Sequence, residues 1–245
     1  MAETNIADVE KVFSVIAKRY DMLNSILTLN IDKLWRRKAI KICNIKEGQK
    51  VLDLCCGTGQ MINYECKAVG KNTTVIGVDF SQEMLKVGDR RLNKSLKDYK
   101  FKLIKDSILE LPFEENTFDC ITIAFGLRNI SDKSKALSEM YRILKPDGRL
   151  VCLELSKPNI PILKNIYDMY FNHVLPFVGS IGTGDKKAYY YLRDSVNDFM
   201  NKKQLKQEIS KIGFKNSEYK SLTFGIASIH YGAKNRCDNV YCRFN

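Results

Sequence analysis

A glycine turn and a distant aspartate are spaced as in proteins that bind a nucleoside. The stretch "VLDLCCGTGQ", residues 51–60, runs from an apolar segment into Gly57 and Gly59. Glycines let the backbone turn tightly and approach a ligand without a Cβ in the way. Twenty residues beyond Gly59, "VIGVD" ends in Asp79, whose carboxylate can accept hydrogen bonds from two ribose hydroxyls. The spacing therefore predicts a nucleoside site beside the turn.

Two further aspartates help to separate the two classes of protein that share this arrangement. Dinucleotide-binding proteins want a third glycine three residues after the second, and Ile62 stands there. S-adenosylmethionine-dependent methyltransferases place an acid before the turn, where Asp53 would help to bind the methionine part. Asp106, with Ser107 beside it, follows the apolar segment "KFKLI" and can meet an adenine amino group. We favour the methyl-donor site, with dinucleotide binding as the alternative.

Strand-like and helix-like segments alternate around these residues. Apolar runs stand in "KVLDLC", "TTVIGVDF", "YKFKLIKD", "FDCITIAFG" and "RLVCLEL", with helical patterns between them. This alternation predicts a doubly wound α/β fold with a mostly parallel sheet. Ser81 and either Ser131 or Asp132 are expected N-caps, and "LKPDGR" is expected to separate a helix from the next strand. "SEYKSLTFGIASIHYGAK" predicts two closing strands that turn at Gly225.

We expect one domain over residues 1–235, because 245 residues suffice for a single core. Its parts are N-terminal helices forming a lid (1–45), a cofactor-binding core (46–155), a helical substrate-side insertion (156–213) and the closing strand pair (214–235). The sequence suggests no role for the tail, 236–245.

Charge and cysteine content narrow the functional classes. The N-terminal residues lack a long apolar run, so we expect a cytoplasmic protein. The eight cysteines are scattered, several in apolar runs, and are expected to be reduced and buried; no metal site is predicted. A net charge of +12 is compatible with peripheral contact with an anionic membrane or with a nucleic acid. A homodimer is also compatible with the sequence.

Several segments together resemble one enzyme family. They include "VFSVIAKRYDMLNSILTLNIDKLWRR", "LDLCCGTG", "GVDFSQEML", "FGLRN", "LKPDGRLVCLELSKP" and "YYYLRDS", and they span the chain from Val12 to Lys234. The chain resembles the C-methyltransferases of menaquinone and ubiquinone biosynthesis. The resemblance implies a Rossmann-like class I methyltransferase fold with a mostly parallel seven-stranded sheet, N-terminal helices and a helical insertion before the last two strands.

The resemblance also implies the reaction and its residues. The methyl donor would be S-adenosylmethionine and the acceptor a reduced polyprenyl quinol, with demethylmenaquinol favoured. Since an arginine stays protonated and is no ordinary base, we expect Arg128 to stabilise a quinolate and orient a water. The implied cofactor contacts are Asp53, Gly57, Thr58, Gly59, Asp79, Asp106 and Ser107; the implied acceptor contacts are Tyr20, Arg128, Asn129 and Tyr189, of which Arg128 and Asn129 would be catalytic.

Two departures and several alternatives accompany this interpretation. Gln60 stands where the family often has Asp, and Cys55 where methyltransferases commonly have Gly; both Cys55 and Cys56 are expected to be packing residues. Base-methylating enzymes usually carry an Asn or Asp, Pro, Pro, aromatic loop after the fourth strand, whereas this chain has "AFGLRN". We therefore expect no nucleic-acid substrate. A sterol or natural-product acceptor is the nearest alternative.

Overall fold

The computed structural model describes Ala17, Asp21, Ser25, residues 28–158, Met169 and residues 187–235. The predicted lid residue Tyr20, much of the predicted insertion and the tail after residue 235 lie outside this part of the chain.

Seven strands and six α-helices are placed in the described residues. The strands are β1 (Val51–Leu54), β2 (Thr74–Asp79), β3 (Lys100–Lys105), β4 (Phe118–Ala124), β5 (Leu144–Leu155), β6 (Lys215–Leu222) and β7 (Ala227–Ala233). The α-helices are α1 (Ile31–Cys43), α2 (Ile62–Val69), α3 (Gln82–Ser95), α4 (Lys133–Ile143), α5 (Lys187–Asp198) and α6 (Lys202–Ile212), with 3-10 turns at Leu127–Asn129 and Thr223–Gly225.

All seven strands form one sheet in the order β3-β2-β1-β4-β5-β7-β6. Among strands β1 to β5, neighbours pair in parallel, and β7 pairs antiparallel with both β5 and β6. The predicted mostly parallel, doubly wound sheet with a closing strand pair is confirmed. The strand order changes direction between β1 and β4. From β1 the chain continues to β2 and β3 on one side of β1, and β4 then lies on the opposite side of β1. Ligands of open α/β sheets bind beyond the carboxyl ends of the strands at such a point.

One predicted boundary is wrong. The segment "LKPDGR" was expected to separate α4 from the next strand, but it lies inside β5. Between the pairs Phe118 to Leu144 and Cys120 to Arg149, β5 carries extra residues, so it bulges there. The bulge is held by the residue that follows β7, because the Asp147 amide donates to the Lys234 carbonyl at 3.0 Å. Proline and glycine therefore shape a strand here instead of ending one.

The helix starts agree with the predicted caps. The Ser81 hydroxyl accepts from the Met84 amide at the start of α3. Asp132, one of two candidates, accepts from the Lys135 amide at 2.8 Å at the start of α4. These bonds satisfy backbone donors of the first helical turn, and they fix where each helix follows its strand.

Both faces of the sheet are covered by apolar side chains. Val51 and Leu52 of β1 are fully buried in two different clusters, as the alternation of a strand requires. One cluster includes buried residues of α1, α2 and α3, and the other includes those of α4 and α6. Ile62, at the position of the missing third glycine, packs tightly against Gly77 of β2, where a Cβ would clash with its Cδ1 atom. The close approach of α2 to the sheet thus depends on a strand glycine.

Two carboxyl groups meet in the core beneath the glycine turn. The Thr122 hydroxyl lies 2.9 Å from Asp53 Oδ1 and 2.5 Å from Glu65 Oε1. A hydroxyl has one hydrogen to donate, so the second contact is satisfied when a carboxyl carries a proton. Burial raises the pKa of Asp53 to about 7 and raises that of Glu65 well above its usual range. The pair therefore holds a proton near neutral pH that exposed carboxyls would release.

This proton makes stability fall with rising pH. The folded protein binds it and the unfolded chain loses it above the ordinary carboxyl pKa, so the free energy of unfolding drops from about pH 4 to about pH 7, by up to about 1.4 kcal/mol per pH unit. In Glu65→Gln, whose neutral amide imitates a protonated acid, this slope is expected to be shallower. Urea unfolding over the same pH window measures it.

The exposed acid Asp98 provides the control, since its side chain is 71% exposed. Asp98→Asn should keep the wild-type slope. A Glu65→Gln slope parallel to that of the wild type would contradict the shared proton.

Candidate active site

A cavity opens at the carboxyl ends of β1, β2, β3 and β4, as the strand order predicts. Its wall combines the glycine turn, the residues after β2 and β3, and the segment after β4. The lining residues are Arg36, Cys55, Cys56, Gly57, Thr58, Gln60, Val78, Asp79, Phe80, Met84, Asp106, Ser107, Ile108, Leu109, Ala124, Phe125, Gly126, Asn129, Ile130 and Ser131.

The glycine turn needs its glycines for conformation and for packing. Gly57 and Gly59 have φ angles of 53° and 72°, in the left-handed region that costs other residues free energy. A Cβ on Gly88 of α3 would lie 3.1 Å from the carbonyl carbon of Thr58. The first turns of α3 therefore rest directly on the glycine turn.

Asp79 joins the parts of this wall. Its Oδ2 accepts from the Gly57 amide at 2.8 Å, and its Oδ1 accepts from the Ser81 amide at 2.9 Å. Since a carboxylate offers about four acceptor positions, Asp79 can hold these two donors and also accept from ribose hydroxyls. The structure places it on the cavity wall at the end of β2, where the sequence predicted a ribose-binding acid.

Asp106 and Ser107 also lie on the wall, after β3. The Asp106 amide donates to the Asp79 carbonyl at 3.1 Å, and its Oδ1 accepts from the Ser107 amide at 2.7 Å. The Ser107 hydroxyl accepts from the Leu109 amide at 3.2 Å. These local bonds hold a polar turn beside the apolar side chains of Ile108 and Leu109, an arrangement suited to an aromatic base with an amino group.

Asp53 and Gly59 are not among the wall residues. Asp53 lies in the core, bonded to Thr122, and the fully packed Gly59 faces Leu92. Their contact with a cofactor stays a prediction.

The cysteine pair of the turn has a packing role. Cys55 has a φ of 50°, a conformation that glycine adopts more readily, and its side chain fills the space left by the absent Cβ of Gly126. Burial raises the pKa of both the Cys55 and Cys56 thiols well above their usual range. Neutral thiols are poor nucleophiles, so these residues pack against the turn, as predicted. Cys43, Cys66, Cys120 and Cys152 are buried free thiols as well.

Asp21 brings the N-terminal region onto the glycine turn. Its Oδ1 accepts from the Thr58 hydroxyl at 2.6 Å, and its Oδ2 lies 3.7 Å from a guanidinium nitrogen of Arg91 on α3. The sequence predicted an N-terminal lid over residues 1–45, with Tyr20 as an acceptor contact. The structure places Asp21 over the turn, and the Tyr20 prediction lies outside the described residues.

Arg128 is held by protein groups and is not among the wall residues. Its Nη1 lies 3.0 Å from Glu154 Oε2 and donates to the Phe125 carbonyl, and its Nε donates to the Ser195 hydroxyl at 3.3 Å. Both charged side chains of the Arg128–Glu154 pair are almost fully buried. The sequence predicted that Arg128 faces the acceptor; the structure instead directs it toward β5 and α5, and its contact with the acceptor stays a prediction.

Asn129, the other predicted catalytic residue, lies on the wall. Its Oδ1 accepts from the Tyr191 hydroxyl at 3.0 Å. That bond engages the carbonyl end of the amide, which makes the NH2 group the donor that Asn129 can offer to a bound molecule. Tyr191 was not among the predicted site residues; the side chain of Tyr189, which was, lies outside the described part of the structure.

Arg36 is a wall residue that sequence reasoning missed. It is a cation at a buried position of α1, 5% exposed, next to the buried Trp35. Its ring contact is Phe125, with the guanidinium carbon 5.0 Å from the ring centroid. The available signal was a basic residue on the buried face of an amphipathic helix, between Asp32 and Ala39.

The wall fits an S-adenosyl group on several grounds. A carboxylate follows β2, a polar turn follows β3, and Met84 and Phe80 add apolar surface between them. The backbone of Gly57 and the side chain of Arg36 also line the cavity, with the segment after β4. A metal is not needed to explain this set, and within the described residues no three His, Cys, Asp or Glu side chains are grouped to hold one.

Solved structures of similar fold include S-adenosylmethionine-dependent methyltransferases. A S-adenosylmethionine-dependent methyltransferase of Aquifex aeolicus matches with a TM-score of 0.60 at 20% identity, covering 81% of this chain and 88% of that chain. Phosphoethanolamine N-methyltransferase 2 of Haemonchus contortus, in complex with S-adenosyl-L-methionine, has a TM-score of 0.58 at 18% identity, covering 82% and 52%. These likenesses support the fold alone.

Sequence relationship is much closer to one group. The demethylmenaquinone methyltransferases of Staphylococcus aureus strains JH9 and Newman are each 42% identical over 238 residues, which is 97% of this chain and 97% of theirs. The profile of the ubiE/COQ5 methyltransferase family matches residues 1–234. With the sheet order, the glycine turn and the acids after β2 and β3 in place, the chain belongs to the ubiE/COQ5 methyltransferase family.

Proposed function

We propose that the protein transfers the methyl group of S-adenosylmethionine to a ring carbon of a reduced polyprenyl quinol, converting demethylmenaquinol to menaquinol. The observation that carries this proposal is the 42% identity to a demethylmenaquinone methyltransferase over 97% of both chains. The cavity supports it, since its polar groups stand where the family resemblance expects the donor.

Different wall residues would bind different parts of the donor. Asp79 would accept from the ribose hydroxyls, Asp106 and Ser107 would meet the adenine, and Thr58 with the Gly57 backbone would line the methionine end. Bound S-adenosylmethionine supplies a methyl group activated by its positive sulfur. Holding such a group in line with an acceptor carbon, away from water, accounts for much of the catalysis that a protein can add.

The segment after β4 would position the acceptor. In the transfer, the bond from the sulfur to the methyl carbon would break as the bond to the ring carbon forms, and the methylated ring carbon would then give its proton to a water molecule. Asn129, on the wall with its carbonyl held by Tyr191, would donate to a quinol oxygen. Arg128 would act by fixing this segment, because it ties the Phe125 carbonyl to Glu154.

We further propose that the protein contacts an anionic membrane, where a polyprenyl quinol is found. Leu29, Leu34 and Phe224 are large apolar side chains that are 80%, 53% and 71% exposed, and such side chains can mark a membrane contact where they form a patch. Trp35 Nε1 donates to the Thr223 hydroxyl at 2.8 Å, which brings the neighbours Leu34 and Phe224 to one region of the surface. The net charge of +12 favours anionic lipid. In the described residues, none of the helices has the length and apolar character to cross a bilayer.

The acceptor is tested with labelled S-adenosylmethionine and chemically reduced substrates. We expect label to enter demethylmenaquinol, and little to enter a demethylated benzoquinol of equal prenyl length. Oxidised demethylmenaquinone is the control and should stay unlabelled, since its ring carbon lacks the electron density for attack. Label entering only a benzoquinol, a sterol or RNA would overturn the proposed acceptor.

Tyr191→Phe tests the orientation of Asn129. Loss of one hydrogen bond should lower kcat/KM for the quinol by about 3- to 10-fold, in line with about 0.5–1.5 kcal/mol for such a bond. Affinity for S-adenosylhomocysteine, measured by calorimetry, should be unchanged. Tyr219→Phe, on β6, is the matched control and should leave both quantities unchanged. An equal loss of affinity for S-adenosylhomocysteine would argue against a role confined to the acceptor.

Vesicle sedimentation tests the membrane surface. Wild-type protein should sediment with phosphatidylglycerol vesicles more than with phosphatidylcholine vesicles. Phe224→Asn, which tolerates the left-handed φ of 56° at this position, should weaken binding by about tenfold or more, because an inserted aromatic side chain contributes roughly 2 kcal/mol. Arg37→Gln, a charge change on the exposed face of α1, is the comparison. Equal sedimentation of Phe224→Asn and wild type would rule out insertion there.

A further inference from the structure

Arg36 is a buried cation on the cavity wall, and the proposed methyl transfer assigns it no role. It extends from α1 toward the part of the wall formed by Cys55, Cys56 and the segment after β4. Its side chain is 5% exposed. A buried charge is costly unless it is paired and hydrogen-bonded, so its partners decide what the residue does.

Within the described residues, Arg36 has few partners for a guanidinium with five N–H donors. Its Nε lies 3.6 Å from Asp32 Oδ2, beyond hydrogen-bond distance, and has no hydrogen-bond acceptor among the described residues. Asp32 itself accepts from the Thr28 hydroxyl at 2.9 Å. Its other contact in the described part of the chain is the face of the Phe125 ring. Among the described residues, the guanidinium therefore has one loose ion pair and one aromatic surface.

The neighbouring acids do not compensate it fully. Asp53 and Glu65 attract Arg36, but burial raises the pKa of both carboxyls, and their shared proton reduces their negative charge. Gln60, also on the wall, is neutral. Arg91 adds a second positive charge close enough to interact with Arg36. The part of the cavity beside Arg36 is therefore suited to an anion. The acidic residues Asp79 and Asp106 line a different part of the wall, after β2 and β3.

We propose that Arg36 binds the carboxylate of the methionine part of S-adenosylmethionine. The inference rests on the proposed donor and adds a residue that fixes its methionine end. A guanidinium fork matches the two oxygens of a carboxylate, and such charge-assisted pairs are stronger than neutral hydrogen bonds. With the carboxylate held against Arg36, the methyl-bearing sulfur would be kept near Phe125 and Asn129, where the acceptor is proposed to bind.

Binding of two donors that differ only in the carboxylate tests this assignment. Isothermal calorimetry on the full chain compares S-adenosylmethionine with decarboxylated S-adenosylmethionine, which keeps the sulfonium and the amine. Wild type should prefer the complete molecule by on the order of 10- to 100-fold. Arg36→Gln should lose that preference through weaker binding of S-adenosylmethionine, with little change for the decarboxylated form. Arg37→Gln, one residue along on the exposed face, should bind both as wild type does.

Each other outcome has a definite meaning. Arg36→Gln that binds both ligands as wild type does, or weakens both equally, would overturn the carboxylate contact. Wild type that binds neither ligand would overturn the proposed donor instead. If Arg36→Gln fails to fold by circular dichroism, Arg36→Lys decides. Its ammonium lacks the fork, so its preference for S-adenosylmethionine should fall several-fold, and an unchanged preference would overturn the proposal.

Discussion

The carboxylate of Asp79 is the group on which the rest of the site depends. The carboxylate accepts from the Gly57 amide on one side and from the Ser81 amide on the other. The backbone carbonyl of Asp79 accepts from the Asp106 amide. One residue thus joins the glycine turn after β1, the start of α3 and the turn after β3. Backbone donors buried this deeply must be satisfied. The acid predicted to bind the ribose is therefore also the residue that shapes this wall.

The buried ionisable side chains near the site are stabilised in three different ways, and these differences indicate what each side chain does. Arg128 is closed off by Glu154 and by backbone, which makes it a fixed part of the frame. Asp53 and Glu65 keep a proton and share a hydroxyl, which removes much of their charge. Arg36 alone of these four lies on the wall. A charge left open to a cavity indicates the sign of the group that the cavity receives.

Much of the fold and part of the site could be predicted from the sequence. The mostly parallel, doubly wound sheet follows from short apolar runs that alternate with helices. The positions of Asp79 and Asp106 follow from strand ends. Both are properties of local sequence pattern. Arg128 could not be resolved in this way, because its partner Glu154 lies on a neighbouring strand and the contact depends on the register of β4 and β5. The bulge in β5 was missed for a similar reason, since it depends on pairing with β7.

Helix α1 connects the surface proposed to contact the membrane with the cavity proposed to hold the methyl donor. Trp35 donates to Thr223, beside the exposed Phe224, while the next residue, Arg36, stands over Phe125 on the cavity wall. Adjacent residues of a helix point in directions about 100° apart, so one turn of α1 faces both places. An acceptor whose prenyl tail stays in the bilayer needs its ring in the cavity and its tail at an apolar surface. The spacing of these two residues places both requirements within a single turn of helix.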